Sequence, residues 1–251
     1  MSGLLELQAL RKAFGGLVAT DDVTARVSTG AIHGLIGPNG AGKTTLFSII
    51  TGFYRPDAGK VVYDGTDVTR LSTAERARRG LVRTFQSNLL FIEQTALENV
   101  ATGALVSRPR HAFDWFSDRA ADHDEAMQGA RQTLDFCHLG DKAEMRAIDL
   151  SHGQQRVLGI AVALAAKPRL LLLDEPFTGM TAGEKNTLVA MIRAIRDRGT
   201  TIVLVEHDMR AVMQLCDRIT VLNFGKVIAE GTPEEVRRHP EVMAAYLGGA
   251  A

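Results

Sequence analysis

The stretch AIHGLIGPNGAGKTTLFSIITG, residues 31–52, reads as three consecutive local structures. Its apolar opening, ending in glycine, predicts a buried strand, and the run from Lys43 to Thr51 has helical spacing that stops at Gly52, with Pro56 beyond. Between them Gly37-Pro38-Asn39-Gly40-Ala41-Gly42-Lys43-Thr44, followed by Thr45, matches the phosphate-loop pattern, and it lies where that loop must lie. The spacing has a physical reason. Glycines let successive backbone N–H groups turn inward around a β-phosphate, and the dipole of the following helix adds positive potential. Lys43 can reach the β- and γ-phosphates, and the Thr44 hydroxyl can ligate Mg²⁺. An ordinary glycine-rich turn needs neither the strand nor the helix.

Working outward, LLELQAL (4–10), ATDDVTARV (19–27) and KVVYDG (60–65) are β-rich segments bounded by turn residues, which predicts a small antiparallel sheet. Further on, RLLLLD (169–174) and TTIVLVEH (200–207) are continuous apolar runs of the kind shown by a strand buried on both faces, separated by the helical TLVAMIRAIRDRG (187–199). They predict a parallel sheet with crossover helices. RITVLNFGKVIAEG (218–231) predicts a hairpin turning near Phe224 and Gly225, after which Thr232 caps a helix with Pro233 at its first position and Glu235 three residues on. The expected fold is α/β, in a single domain: an antiparallel β part and the phosphate loop in 1–86, an inserted helical lobe in 87–166, and the rest of the core with the hairpin and last helix in 167–251.

Leu170-Leu171-Leu172-Leu173-Asp174-Glu175 supplies what the loop lacks, a carboxylate at the C-terminal end of a buried strand. Asp174 is the expected Mg²⁺ ligand. Glu175, one residue on, is placed to polarise a water for attack on a γ-phosphate. Two adjacent acids can instead cap a helix, but beside a phosphate loop they argue for hydrolysis.

About twenty residues before Asp174, Leu150-Ser151-His152-Gly153-Gln154-Gln155-Arg156 resembles the signature motif of ABC ATPases. A serine hydroxyl and glycine N–H groups at the start of a helix, expected over Gln154 to Ala166, form an anion site. The resemblance implies a P-loop nucleotide-hydrolase core with a mixed or parallel sheet, ATP and Mg²⁺ as ligands, and a second ATPase subunit, alike or different, whose ATP is clasped by Ser151, His152, Gly153 and Gln154. It also implies that Gln86, in RTFQ, contacts Mg²⁺ and the attacking water, that His207 contacts the γ-phosphate, and that Phe14 stacks on adenine. Two positions depart from the family pattern. His152 stands where a glycine is most common, and Pro176–Thr181 lacks the aspartate that many relatives carry in the loop coupling the two sites.

LIGPNGAGKTTLF, ITGFYRPDAG, LVRTFQSNLLF, TALENV and VIAEGTPEEV look like the larger-type ATP-binding subunit of branched-chain amino-acid importers. That subfamily implies permease partners, indirectly a substrate-binding protein, and a peripheral place on the cytoplasmic face of the membrane. In the family, the region of Leu89, Leu90, Phe91 and Ile92 meets the permease. Composition agrees. Lys plus Arg and Asp plus Glu are both 29, so no basic excess points to nucleic acid, and the longest purely aliphatic run, Leu170 to Leu173, is far too short to span a bilayer. The alternatives are a permease-free ABC ATPase acting on DNA or ribosomes, a P-loop kinase or GTPase, and a regulatory nucleotide sensor. Asp122, His123 and Asp124 are expected in a solvated turn, and Cys137 and Cys216 as buried thiols.

Overall fold

The computed structural model describes residues 3–84, 90–105 and 119–247. Two long strands, β1 (Gly3–Phe14) and β2 (Leu17–Ser28), pair antiparallel across a tight turn, and β3 (Ile32–Ile36) follows with all five residues buried. After the glycine-rich loop come α1 (Lys43–Ile50), β4 (Ala58–Tyr63), β5 (Thr66–Asp67), α2 (Thr73–Arg78) and β6 (Leu81–Arg83). The helices α3 (Ala96–Ala104), α4 (Arg119–Phe136) and α5 (His152–Ala165) pack on one another as a lobe. The chain returns through β7 (Leu170–Asp174), α6 (Ala182–Asp197), β8 (Thr201–Val205), α7 (Met209–Leu215), the hairpin β9 (Arg218–Asn223) and β10 (Lys226–Gly231), then α8 (Pro233–Arg238) and α9 (Pro240–Leu247).

Among the described residues the strands form two sheets, ordered β2-β1-β4-β5 and β10-β9-β3-β8-β7-β6. The first is antiparallel throughout. In the second, β9, β3, β8, β7 and β6 run parallel and β10 turns back antiparallel. The period of two explains the apolar runs. Leu171 and Leu173 of β7 face one core with Ile202 and Leu204 of β8, while Leu170 and Leu172 face a second core with Val203 and Val205. The first core is shared with the helical lobe and the second with α1 and the antiparallel sheet, so neither face can carry polar residues.

Several elements differ from expectation. β6 has only three residues, too few for a strand signal, and it extends the parallel sheet beside β7. Residues 122–124 belong to α4 and not to a turn, with His123 and Asp124 exposed on a helix that carries several good helix formers, Ala, Gln and Arg. The signature helix starts at His152, two residues earlier than expected. Gln86 and Leu89, and most of the polar segment 107–125, lie outside the described residues. Cys137 and Cys216 are both free and buried, and burial pushes each thiol up to about 12.

Two buried polar groups anchor the site from below. Arg76 is 1% exposed, and its guanidinium donates to the carbonyls of Ile49 (2.7 Å) and Ile50 (2.6 Å), closing the C-terminus of α1 with a fixed positive charge. His33, on β3, is buried with Nε2 2.8 Å from Thr220 Oγ1. Burial, helped by the charge of Arg218, lowers its pKa to about 4. A folded-state pKa below the unfolded value means that stability is present above about pH 6.5 and is lost as pH falls toward 4. Melting curves at pH 7 and pH 5 should therefore show a larger drop for the wild type than for His33→Gln. Equal drops would place the acid sensitivity elsewhere.

Candidate nucleotide-binding site

The loop between β3 and α1 is shaped by close backbone approaches. Gly37 (φ 152°) and Gly42 (φ 99°) lie in conformations that L residues avoid, and a Cβ on either would strike a carbonyl, Leu222 O for Gly37 and Ala19 O for Gly42. The β9–β10 turn supports the loop directly. Gly225 N–H donates to Ala41 O at 3.0 Å and Gly225 O accepts from Asp21 N–H at 2.8 Å, so hairpin, loop and β2 form one unit. The C-terminal helix reaches the same place. Ala244 and Ala245 of α9 line a cleft with Pro38, Asn39 and Ala41, and the Tyr246 hydroxyl lies near the Gly37 N–H.

Among the described residues most α-helix starts are closed by their own side chains, and α1 differs. Capping boxes are formed by Ser72 and Glu75 at α2, Thr95 and Glu98 at α3, Ser151 and Gln154 at α5, Thr181 and Glu184 at α6, and Thr232 and Glu235 at α8. α1 starts at Gly42 with no side-chain cap and no acidic residue in its first turn, so its leading N–H groups are available to an anion. Lys43 curls over the loop, its ammonium donating to Gly37 O (2.7 Å) and Pro38 O (2.9 Å). Burial lowers the Lys43 pKa, and the charges of Glu175 and then Asp174 oppose that shift. The three groups therefore share one electrostatic field.

β7 and β8 deliver the rest. Asp174 ends β7, buried, and Oδ2 accepts from Arg83 Nη2 at 2.6 Å. Glu175 turns the chain sharply with φ 45°, held by its N–H to Val205 O at 2.9 Å, and its Oε1 lies 3.9 Å from His207 Nδ1. Asp174 and the exposed Thr44 hydroxyl are hard oxygen donors beside a phosphate-type loop, the sort of set Mg²⁺ takes together with substrate phosphates. Phe14, at the end of β1, is 41% exposed and meets Tyr54 edge-on with ring centroids 5.1 Å apart, while Lys12 Nζ lies 5.5 Å from its ring. A flat aromatic surface is thus presented at the end of the strand.

Thus Lys43, Asp174, Glu175 and His207 converge, with Thr44 and Thr45 on the first turn of α1. Ser151 and His152 stand exposed at the start of α5, and no hydrogen bond or ion pair among the described residues joins them to the loop of the same chain. Gly153 is buried, where a Cβ would meet the Glu184 carboxylate that caps α6. Thr181 is the N-cap of α6. Sequence reading passed over Glu206. This residue is 1% exposed and accepts from Phe177 N (3.0 Å), His207 N (2.9 Å) and Asp208 N (3.2 Å), binding the turn after β7 to the turn after β8. Its one sequence signal was an acid at the end of an apolar run.

Residues 20–178 match the family described as ABC transporter, and residues 226–251 match the one described as branched-chain amino acid ATP-binding cassette transporter. The chain is 41% identical to the high-affinity branched-chain amino acid transport ATP-binding protein BraF of Pseudomonas aeruginosa, over 98% of each chain. It is 40% identical to LivG of Escherichia coli strain K12, a protein of the same description, again over 98% of each. The ADP conformation of MJ1267, an ATP-binding cassette of an ABC transporter, superimposes with a TM-score of 0.87 at 29% identity, covering 99% of this chain and 100% of that one. The dimeric post-hydrolysis structure of MJ0796 bound to ADP and phosphate superimposes with a TM-score of 0.78 at 26% identity, covering 91% and 98%.

Proposed function

Because the chain belongs to the ABC transporter ATP-binding family, we propose that this ATPase drives uptake of branched-chain amino acids or a related small polar solute, as one half of a nucleotide-clasping dimer beneath a permease. The observation that carries the chemistry is the convergence of the uncapped start of α1 with Lys43, Asp174 and Glu175. The substrate class rests on likeness to BraF and LivG over nearly the whole chain and on the C-terminal match over 226–251.

In this reading the loop amides of Gly37 to Thr45 and the Lys43 ammonium bind the triphosphate, and Phe14 stacks on the adenine. Thr44, Asp174 and Gln86 hold Mg²⁺, which when bound supplies charge neutralisation on the phosphate oxygens. Glu175 takes a proton from the attacking water, with His207 beside it at the γ-phosphate. Ser151, His152, Gly153 and Gln154 of each subunit close over the nucleotide of the other, in keeping with the dimeric MJ0796 structure. ATP drives closure because it binds the closed pair preferentially, and hydrolysis resets it.

The permease contact is placed on an exposed apolar patch. Phe91 is 55%, Ile92 51% and Ile148 46% exposed, and Ile148 N–H donates to Ile92 O at 2.9 Å, joining two segments of the helical lobe into one surface. Leu90 instead packs against the core, so it is a poor probe of docking. No described helix is long and apolar enough to cross a membrane, and a peripheral place on the cytoplasmic face follows from docking of this kind.

The test is isolation of a tagged Glu175→Gln chain from detergent-solubilised host membranes with ATP present, followed by mass spectrometry. Permease chains and a second ATPase subunit are expected. Adding Ile92→Asp should remove the permeases and leave the ATPase partner. Undiminished permease recovery would overturn the docking surface, and ribosomal or DNA-bound proteins with no membrane protein would overturn the partner assignment. A binding protein recovered with the complex can then be screened with leucine, isoleucine and valine.

A further inference from the structure

Asp174 is fixed by a charged neighbour, Arg83, the first residue of RTFQ, to which the family resemblance assigned no role. Arg83 ends β6 and Asp174 ends β7, two parallel strands in which Arg83 pairs with Leu172. The Arg83 side chain runs on from that register to place Nη2 2.6 Å from Asp174 Oδ2, with the two side chains only 10% and 8% exposed. The same guanidinium lies 5.5 Å from the ring centroid of Phe47 and donates from Nη1 to Ser48 Oγ at 3.4 Å. Phe47 and Ser48 are buried residues of α1, the helix whose first residues are Lys43, Thr44 and Thr45. One planar cation therefore touches both the helix that carries Thr44 and the strand that carries Asp174.

We propose that Arg83 is a positioning residue for the bound metal: it holds the Asp174 carboxylate by one oxygen at a fixed place relative to α1. This rests on the reading of Thr44 and Asp174 as Mg²⁺ ligands. The ion demands a near-ideal octahedron, so small errors in the placement of a carboxylate are costly. A carboxylate has two oxygens, and a guanidinium that engages one through a directed hydrogen bond fixes the plane in which the other is offered. Without that partner the buried Asp174 carboxylate has no group to fix its plane and swings toward solvent, which spoils it as a ligand. Removing a positive charge beside the site would by itself favour a dication. The loss of orientation outweighs this, because the charge of Arg83 is already paired with the carboxylate it holds. Lysine does not substitute: its ammonium is a point charge and cannot stack on Phe47 while reaching Ser48 and Asp174.

The experiment titrates Mn²⁺ into the full chain with ATP and follows free Mn²⁺ by electron paramagnetic resonance, alongside ATP binding measured in EDTA. Arg83→Met should weaken Mn²⁺ retention by about 10–100-fold, the usual cost of losing a group that orients a metal ligand, while metal-free ATP binding changes by less than about twofold. Asp174→Asn separates this inference from the one beneath it. If Asp174→Asn leaves Mn²⁺ bound as in the wild type, the ligand assignment fails. If Asp174→Asn loses the metal and Arg83→Met keeps wild-type affinity, the role of Arg83 alone fails. Should Arg83→Met not give a cooperative melting curve, Arg83→Lys serves instead, with a smaller loss expected and wild-type Mn²⁺ affinity overturning the proposal.

Discussion

Glu175→Gln is expected to lower ATP turnover by about 10²–10⁴-fold, the typical contribution of a positioned general base, and to leave ATP binding intact. The backbone explains why the effect is confined to chemistry. Glu175 is held in a left-handed turn by its N–H bond to Val205 O, and its side chain is about a quarter exposed beside His207. Glutamine has the same shape and still accepts a hydrogen bond, but it cannot take a proton from water. In the proposed reading the phosphate contacts come from other residues, the loop amides and Lys43, so affinity should survive. Lys43 loses the larger of the two negative charges that oppose the effect of its burial, and Asp174 still opposes it. Single-turnover phosphate release with nucleotide affinity measured in parallel checks this. Turnover within a few-fold of wild type would move the base to another group, and loss of binding as well would make Glu175 a structural residue.

What the sequence disclosed and what it withheld divide along the range of the interactions. The loop, the two buried strands flanking α6 and the hairpin turn at Phe224 and Gly225 were legible because each is dictated within a few residues, by glycine placement or by an apolar run. The capping box at Thr232 was read, and those at Ser72 and Thr95 carry the same spacing. Arg76 gave no such sign. Its partners, the carbonyls of Ile49 and Ile50, are distant in sequence, and an arginine on a short helix looks like an ordinary surface residue until the fold buries it. The same holds for Gly225 supporting the loop through Ala41 O, and for Tyr246 arriving from the last helix. Residues 122–124 were misplaced for the opposite reason: acidic and polar composition suggested a turn, whereas α4 is a helix with an exposed polar face. Gln86 lies outside the described residues, so its role stays with the family resemblance.

Glu206→Leu should be the most destabilising single change at the site, lowering stability by about 3 kcal/mol, since a buried N–H left without a partner costs roughly 1–3 kcal/mol and two partly buried ones add to it. Three N–H groups depend on it. Oε1 accepts from Phe177 and Oε2 from His207 and Asp208, at 3.0, 2.9 and 3.2 Å, in a position that is 1% exposed. For a chain of this size the loss corresponds to a fall of about 10 °C in Tm. The damage should extend to catalysis because the two turns that Glu206 ties together carry Glu175 and His207, whose side chains lie 3.9 Å apart and are proposed to act on one phosphate. Glu206→Gln divides the two effects. An amide fills the same volume but presents one acceptor oxygen, so it can serve either Phe177 or the His207 and Asp208 pair, and its NH₂ then opposes another donor. It should lose less stability than leucine and still lower single-turnover hydrolysis by more than Tm predicts. Melting curves and phosphate release on the two variants decide the matter. A Tm within about 2 °C of wild type for Glu206→Leu, a shift worth under about 1 kcal/mol here, would mean that the turns are held by their strands alone and that Glu206 is not what aligns the site.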